Sequence, residues 1–247
     1  MGVTYNNTSI VTDGLLYALD FANTKNYPGS GTTTTDSAGL VTASLINPSY
    51  YSYDSVTKSM NFTRDAATIV GGYLTFTGTG NLTATNFLYK DHSVEVLFRA
   101  NDINASNING NEATSVLCGY QGYHAGFAYN GDGSFFYSLW NNTGYNQVAA
   151  NAGTLVAGTW YHLVFTRLNN SCTIYINGIS SITATVSTAG GNPGVTDNYR
   201  LAAGNAGVGP YAFYAKCNIA VNRLYNKALS AAEVAQNFNA VRGRYGL

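Results

Sequence analysis

The stretch that most constrains the fold runs from Thr159 to Val186. Trp160-Tyr161-His162-Leu163-Val164-Phe165-Thr166 reads as a strand and Leu168-Asn169-Asn170-Ser171 as a turn. Cys172-Thr173-Ile174-Tyr175-Ile176 reads as a second strand, and Asn177-Gly178 is a strong two-residue hairpin signal, since a type I′ turn needs positive φ at both positions. Ile179 opens a third strand. This is an antiparallel meander, and the body that carries it is built of sheet.

The rest of the chain agrees. Leu15 to Phe21 is apolar on both faces until Asp20 and reads as a buried strand. The Thr32–Thr35 run then leads through Asp36 into a long polar excursion, with short strand candidates at Lys58–Phe62 and Tyr73–Thr77. Ser93 to Arg99 alternates, with Val94, Val96 and Phe98 on one face and Ser93, Glu95, Leu97 and Arg99 on the other. Asn101 to Glu112 is Asn-rich and aperiodic, a loop. Strands follow at Ser115–Gly119, Gly126–Tyr129 and Ser134–Trp140, the last two joined by the turn Asn130-Gly131-Asp132-Gly133, and a final one covers Cys217–Tyr225. A single helix closes the chain over residues 229–241: Ser230-Ala231-Ala232-Glu233 has the capping-box spacing, Leu229 and Val234 sit as a hydrophobic staple, and Val234, Phe238 and Val241 recur at helical spacing. Helices do not alternate with strands, which excludes a layered α/β fold. The expected architecture is all-β, a two-sheet antiparallel sandwich of jelly-roll type, in one domain spanning residues 1–247 with residues 1–13 as an N-terminal arm.

Size and charge bound the function. Mass scaling gives a folded surface of roughly 10,600 Å² for one such domain, with about 70% of the unfolded chain's surface buried. Twelve basic and twelve acidic residues cancel, and charged residues make up 10% of the chain. No basic cluster offers a footprint for nucleic acid or for an anionic membrane. Cys118, Cys172 and Cys217 are odd in number, widely spaced and without a zinc-type pattern. The first residues hold neither a basic region nor an apolar run, so synthesis and folding in a cytoplasm are expected.

Gly158-Thr159-Trp160-Tyr161-His162-Leu163-Val164-Phe165-Thr166 followed by Ile174-Tyr175-Ile176-Asn177-Gly178 resembles the central hairpin of concanavalin A-like, laminin-G-like domains. Arg223-Leu224-Tyr225-Asn226-Lys227-Ala228-Leu229-Ser230-Ala231-Ala232-Glu233-Val234 is similar to the end of that family, and Gly14-Leu15-Leu16-Tyr17-Ala18-Leu19-Asp20 with Tyr27-Pro28-Gly29-Ser30-Gly31-Thr32 to its start. The family's acidic residues after the Ile of the final strand are replaced here by Ala220 and Val221. The opening, with the ending Asn237 to Tyr245, is similar to versions in tailed-bacteriophage virion proteins. The resemblance implies a non-enzymatic structural protein of a virion surface, a capsid decoration, tail-associated or fibre component. It would dock to other virion proteins and to copies of itself. The alternative is a lectin module for a cell-surface glycan.

Related jelly rolls also hydrolyse glycans, chemistry that needs two carboxyl groups about 5–10 Å apart. The glutamates are Glu95, Glu112 and Glu233: the first has no acidic partner along its strand, the second lies in a loop and the third belongs to the helix cap. No catalytic residue is therefore expected, and His162 reads as a strand histidine. Sugar binding would use aromatic planes, for which Tyr120, Tyr123, His124, Tyr129, Trp140 and Tyr145 are the candidates; the same residue types suit protein contacts. The resemblance further implies calcium as the one metal to consider, with Asp132 and Asp197 as oxygen ligands. No other cofactor is expected.

Overall fold

The turns fall where Asn and Gly set them. Asn177 and Gly178 take φ of 50° and 79°, the left-handed pair that a type I′ hairpin needs. Asn169 turns the preceding hairpin at φ 55°, a region its short polar side chain tolerates. The computed structural model describes residues 9–37, 41–65, 70–77, 90–103, 114–120, 125–140, 144–186, 198–204 and 213–247. In chain order the strands are β1 Leu15–Asp20, β2 Thr33–Thr35, β3 Thr42–Ile46, β4 Tyr51–Asp54, β5 Ser59–Phe62, β6 Arg64–Asp65, β7 Val70–Gly71, β8 Tyr73–Thr77 and β9 His92–Ala100. They continue as β10 Thr114–Tyr120, β11 Ala125–Asn130, β12 Phe135–Trp140, β13 Tyr145–Ala149, β14 Trp160–Leu168, β15 Ser171–Ile176, β16 Ile179–Thr185, β17 Arg200–Leu201 and β18 Cys217–Tyr225, and helix α1 covers Ala231–Val241.

Two sheets result. The first has the order β16-β15-β14-β9-β18-β5-β4, with β1 also on β18; the second has the order β13-β12-β11-β10-β17-β8-β3-β2. Strands β6 and β7 form a small separate ladder. The central ladders β14–β15, β14–β9 and β9–β18 are antiparallel. The sandwich expected from the sequence is the fold observed.

Alternation sets the core. Val94, Val96 and Phe98 of β9 turn inward with Leu163 and Phe165 of β14, and meet Phe127, Tyr129, Phe135 and Tyr137 of the second sheet. Tyr137 and Phe165 stack across the layers with ring centroids 3.6 Å apart and planes within 7°. Such a pair adds about 0.5–1.5 kcal/mol beyond its area. The folded surface is 10,553 Å².

Some strands were illegible in the sequence. The polar excursion after Thr35 contains β3 and β4. Strand β3 turns Ala43 and Leu45 into the core, and two inward positions alternating with Thr42 and Ser44 are too few to mark a strand in so polar a stretch. Among its described side chains, strand β13 likewise contributes Val148 alone to the main cluster.

The helix forms as its cap dictates. Glu233 N–H donates to Ser230 Oγ at 3.3 Å, and Ser230 N–H to Glu233 Oε2 at 2.8 Å. Leu229 and Val234 share a cluster with Val11, Val164, Tyr175 and Tyr225, and Val241 packs with Leu97, Trp160, Ala220 and Val221. The helix therefore lies on the outer side of the first sheet, so β9 is covered on both faces. Residues 9–13 of the N-terminal arm strap over the helix: Val11 N–H donates to Asn237 Oδ1 at 2.8 Å, and Gln236 Nε2 donates to Ser9 O at 2.7 Å. Among the described residues, no helix is long and apolar enough to cross a membrane.

Candidate functional site

Glu95 was the one glutamate on a strand, and the helix seals it in. The residue is 0% exposed. Its Oε1 accepts from Arg223 Nη1 and, at 3.0 Å, from His162 Nε2; its Oε2 accepts from Asn237 Nδ2 at 2.7 Å. Burial pushes its pKa upward, but Arg223, His162 and Asn237 outweigh that and hold it below the ordinary value. A carboxylate so committed and so enclosed does not reach a substrate. Asn237 is the participant the sequence reading missed. A polar residue on the apolar stripe between Val234 and Val241 was the available signal. Glu233 is engaged by Ser230 and by Lys227 Nζ at 2.7 Å, while Glu112 lies outside the described residues.

A different place is open and polar. The register sets His92 opposite Arg167 and Ser93 opposite Tyr225. The start of β9, the β14–β15 turn and the end of β18 therefore meet at one rim of the first sheet. Lys90, Asp91, Arg167, Asn169, Asn170 and Asn226 line a shallow, open cleft there of about 640 Å³. Asp91 Oδ1 accepts Asn169 N–H at 2.6 Å, and Arg167 Nε donates to Asn169 O at 2.7 Å. The left-handed Asn169 is thus held from both sides.

Behind the rim, His92 fixes the strand end. Its Nδ1 donates to Lys90 O at 2.8 Å, and its Nε2 lies 3.3 Å from Tyr137 OH. Burial pushes its pKa down to about 4, helped by Arg167 and opposed by the Lys90 carbonyl and Asp91. The imidazole is neutral at neutral pH and acts as a strut. Carboxamides, a carboxylate and two cations on a rigid frame supply the donors and acceptors that hydroxyl groups need.

The residues singled out by sequence scatter. Tyr120 and Tyr129 are 0% and 1% exposed and belong to the core between the sheets, which corrects the expectation that they face a ligand. The bulge in β10 between Val116 and Cys118 shifts the alternation and turns Tyr120 inward; Tyr129 OH donates to Lys216 O at 3.2 Å. Burial raises both phenol pKa values. The register pairs Trp140 with Tyr145 at the end of the β12–β13 hairpin. Tyr123, His124 and Asp197 lie outside the described residues.

Asp132 spends Oδ1 on Ser134 N–H at 2.8 Å within its turn. Among the described residues no three His, Cys, Asp or Glu side chains come together as a metal-holding group. Asp132 by itself does not supply the oxygen set that calcium takes. None of the cleft residues was picked from the sequence, where Asn169-Asn170 read as a turn and nothing more.

A family description, the concanavalin A-like lectin/glucanases superfamily, matches residues 68–235. No curated protein matches the sequence. Among solved structures, the binding domain of botulinum neurotoxin serotype D superposes with a TM-score of 0.66 at 11% identity, over 93% of this chain and 52% of that one. The binding domain of botulinum neurotoxin DC in complex with rat synaptotagmin II gives 0.65 at 12%, over 92% and 51%. Trypanosoma rangeli sialidase gives 0.62 at 15%, over 94% and 33%. The chain thus spans about half the length of the toxin chains and about a third of the sialidase. At these identities the likeness is one of fold.

Proposed function

This chain belongs to the concanavalin A-like lectin/glucanases superfamily, and from that membership we propose that it is a non-enzymatic carbohydrate-binding module whose glycan sits in the rim cleft. The observation that carries the reading is the cleft itself. Six polar side chains line it, and its turn is pinned on both sides through Asn169 before any ligand arrives. Preorganisation of that kind lowers the ordering cost of binding.

Two readings came from the sequence, docking within a bacteriophage particle and recognition of a glycan, and the solved neighbours support the second. One is a botulinum neurotoxin DC binding domain in complex with SialylT, and another is described by the dependence of botulinum neurotoxin type C entry on two ganglioside molecules. The sealed state of Glu95 supports binding without hydrolysis.

A glycan array probed with the full chain on a multivalent scaffold tests the proposal. Selective binding is expected, and Asn170→Ala or Asn226→Ala should reduce it about fivefold or more, the loss of one or two hydrogen bonds. Uniform absence of binding by a folded chain would sink the idea. Binding that survives the cleft substitutions but disappears in Trp140→Ala would move the site to the β12–β13 hairpin.

A further inference from the structure

Beyond the helix, the outer face of the first sheet is polar. Helix α1 covers β9 as far as Leu97, where Val241 packs together with Trp160, and Arg99 is the one residue of that strand that is not buried. The register sets Arg99 between Asn218 of β18 and Trp160 of β14, and Asn218 opposite Asn61 of β5. Their strand neighbours Phe98, Ala100, Cys217, Ile219, Met60 and Phe62 belong to the core, so alternation turns this row outward.

Arg99 is held in place and carries no counter-charge. Its guanidinium carbon stands 5.3 Å from the Trp160 ring centroid, Nη2 donates to Asn218 Oδ1 at 3.0 Å, and Nε is buried without a partner. Among the described residues no acid pairs with it. Asp54, an acid that feels its charge, commits both oxygens to its own turn, on the Val56 and Thr57 N–H groups and on Thr57 Oγ1. The Thr57 bonds are the main cause of the lowered Asp54 pKa, and Arg99 adds the least. A cation partly stripped of water gains from an opposite charge, and a fixed planar fork matches a carboxylate. Asn101, an exposed residue, stands beside it. Its Nδ2 donates to Asn218 Oδ1 and to Asn61 Oδ1, each at 2.9 Å, which leaves its own Oδ1 as an acceptor. The shared anchor Asn218 is 2% exposed and donates to Ser59 Oγ at 2.9 Å.

We infer that this row is a second binding site, for a hydroxylated carboxylate such as a uronic acid. Arg99 takes the carboxylate through its free N–H edge, and Asn101 Oδ1 accepts from a hydroxyl on a neighbouring carbon. Arg99 lies seven residues along β9 from His92, about 24 Å from the rim cleft at about 3.4 Å per residue. The two sites are therefore separable.

An NMR titration of the full chain with glucuronate, glucose and acetate tests this. The Trp160 indole N–H, told from that of Trp140 by Trp140→Phe, and the Arg99 Nε–H report this row; the carboxamides of Asn170 and Asn226 report the rim cleft. Glucuronate should move the Trp160 and Arg99 signals at least about tenfold below the concentration that glucose needs, and below that of acetate. Arg99→Lys keeps the charge and loses the fork, and should weaken glucuronate about three- to tenfold. Asn101→Ala should weaken it about threefold. Because Arg99 packs on Trp160, both variants are first compared with the parent chain by circular dichroism and urea midpoint. Glucuronate no tighter than glucose or acetate at these signals, or unmoved by both substitutions, overturns the inference. Shifts confined to Asn170 and Asn226 also overturn it and leave the rim-cleft proposal standing.

Discussion

Removing the Glu95 carboxylate leaves the Arg223 guanidinium buried opposite an empty space. Glu95→Ala should therefore cost about 3–5 kcal/mol in urea unfolding. The double variant Glu95→Leu with Arg223→Met should recover much of the loss, because neither remaining group then carries a charge in the interior. A second residue-scale test is pH. His92 titrates near 6.5 when exposed and about 4 when folded, so the unfolded chain binds the extra proton between those values. Its contribution is complete above pH 6.5 and shrinks as pH falls toward 4, by about 2 kcal/mol between pH 7 and pH 5. Glu95, whose folded pKa is lowered, loses its contribution only as pH falls below the ordinary carboxylate value of 4.5. Urea midpoints at pH 7 and 5 should thus differ in the parent chain and converge in His92→Gln.

At the scale of elements, caps and turns hold the helix in register with the sheet. Ser230→Ala removes the acceptor for Glu233 N–H and should lower stability by about 1 kcal/mol. Gly178→Ala should cost more, about 1–3 kcal/mol: its φ is +79°, and the added Cβ would stand 2.7 Å from the Phe238 ring of α1. Thermal unfolding of the two variants measures both. The same elements show what the sequence disclosed. The meander, the β18 strand and the capped helix were legible because period, turn chemistry and cap spacing are local. The outward face of β9 was not. Alternation assigns Glu95 to the side away from the core, and nothing local says that α1, well over a hundred residues later, returns to cover it. The rim cleft was hidden for the same reason: Lys90, Arg167 and Asn226 become neighbours only through the register of β9 with β14 and β18. Tyr120 and Tyr129 looked like ligand planes because an inward and an outward aromatic have the same residue signature.

For the whole molecule, the core is closed enough to protect its thiols. Cys118, Cys172 and Cys217 are free and buried, and burial pushes the first two up to about 11 and the third higher still. A thiol reagent should find none of them in the native chain and all three in guanidinium. If the cleft binds a glycan as proposed, its polar, open shape should make a single module bind weakly and several copies on one surface bind far better. Surface plasmon resonance at rising module density should show the apparent dissociation slowing steeply.

The strap of residues 9–13 and the helix it crosses lie on the same side of the first sheet, joined through Asn237. Tension applied at the two ends of the described chain would meet these parts first and peel them away bond by bond. Under load, this module should surrender its strap and helix at low force and keep its sandwich, with the rim cleft still shaped, for a second and higher event.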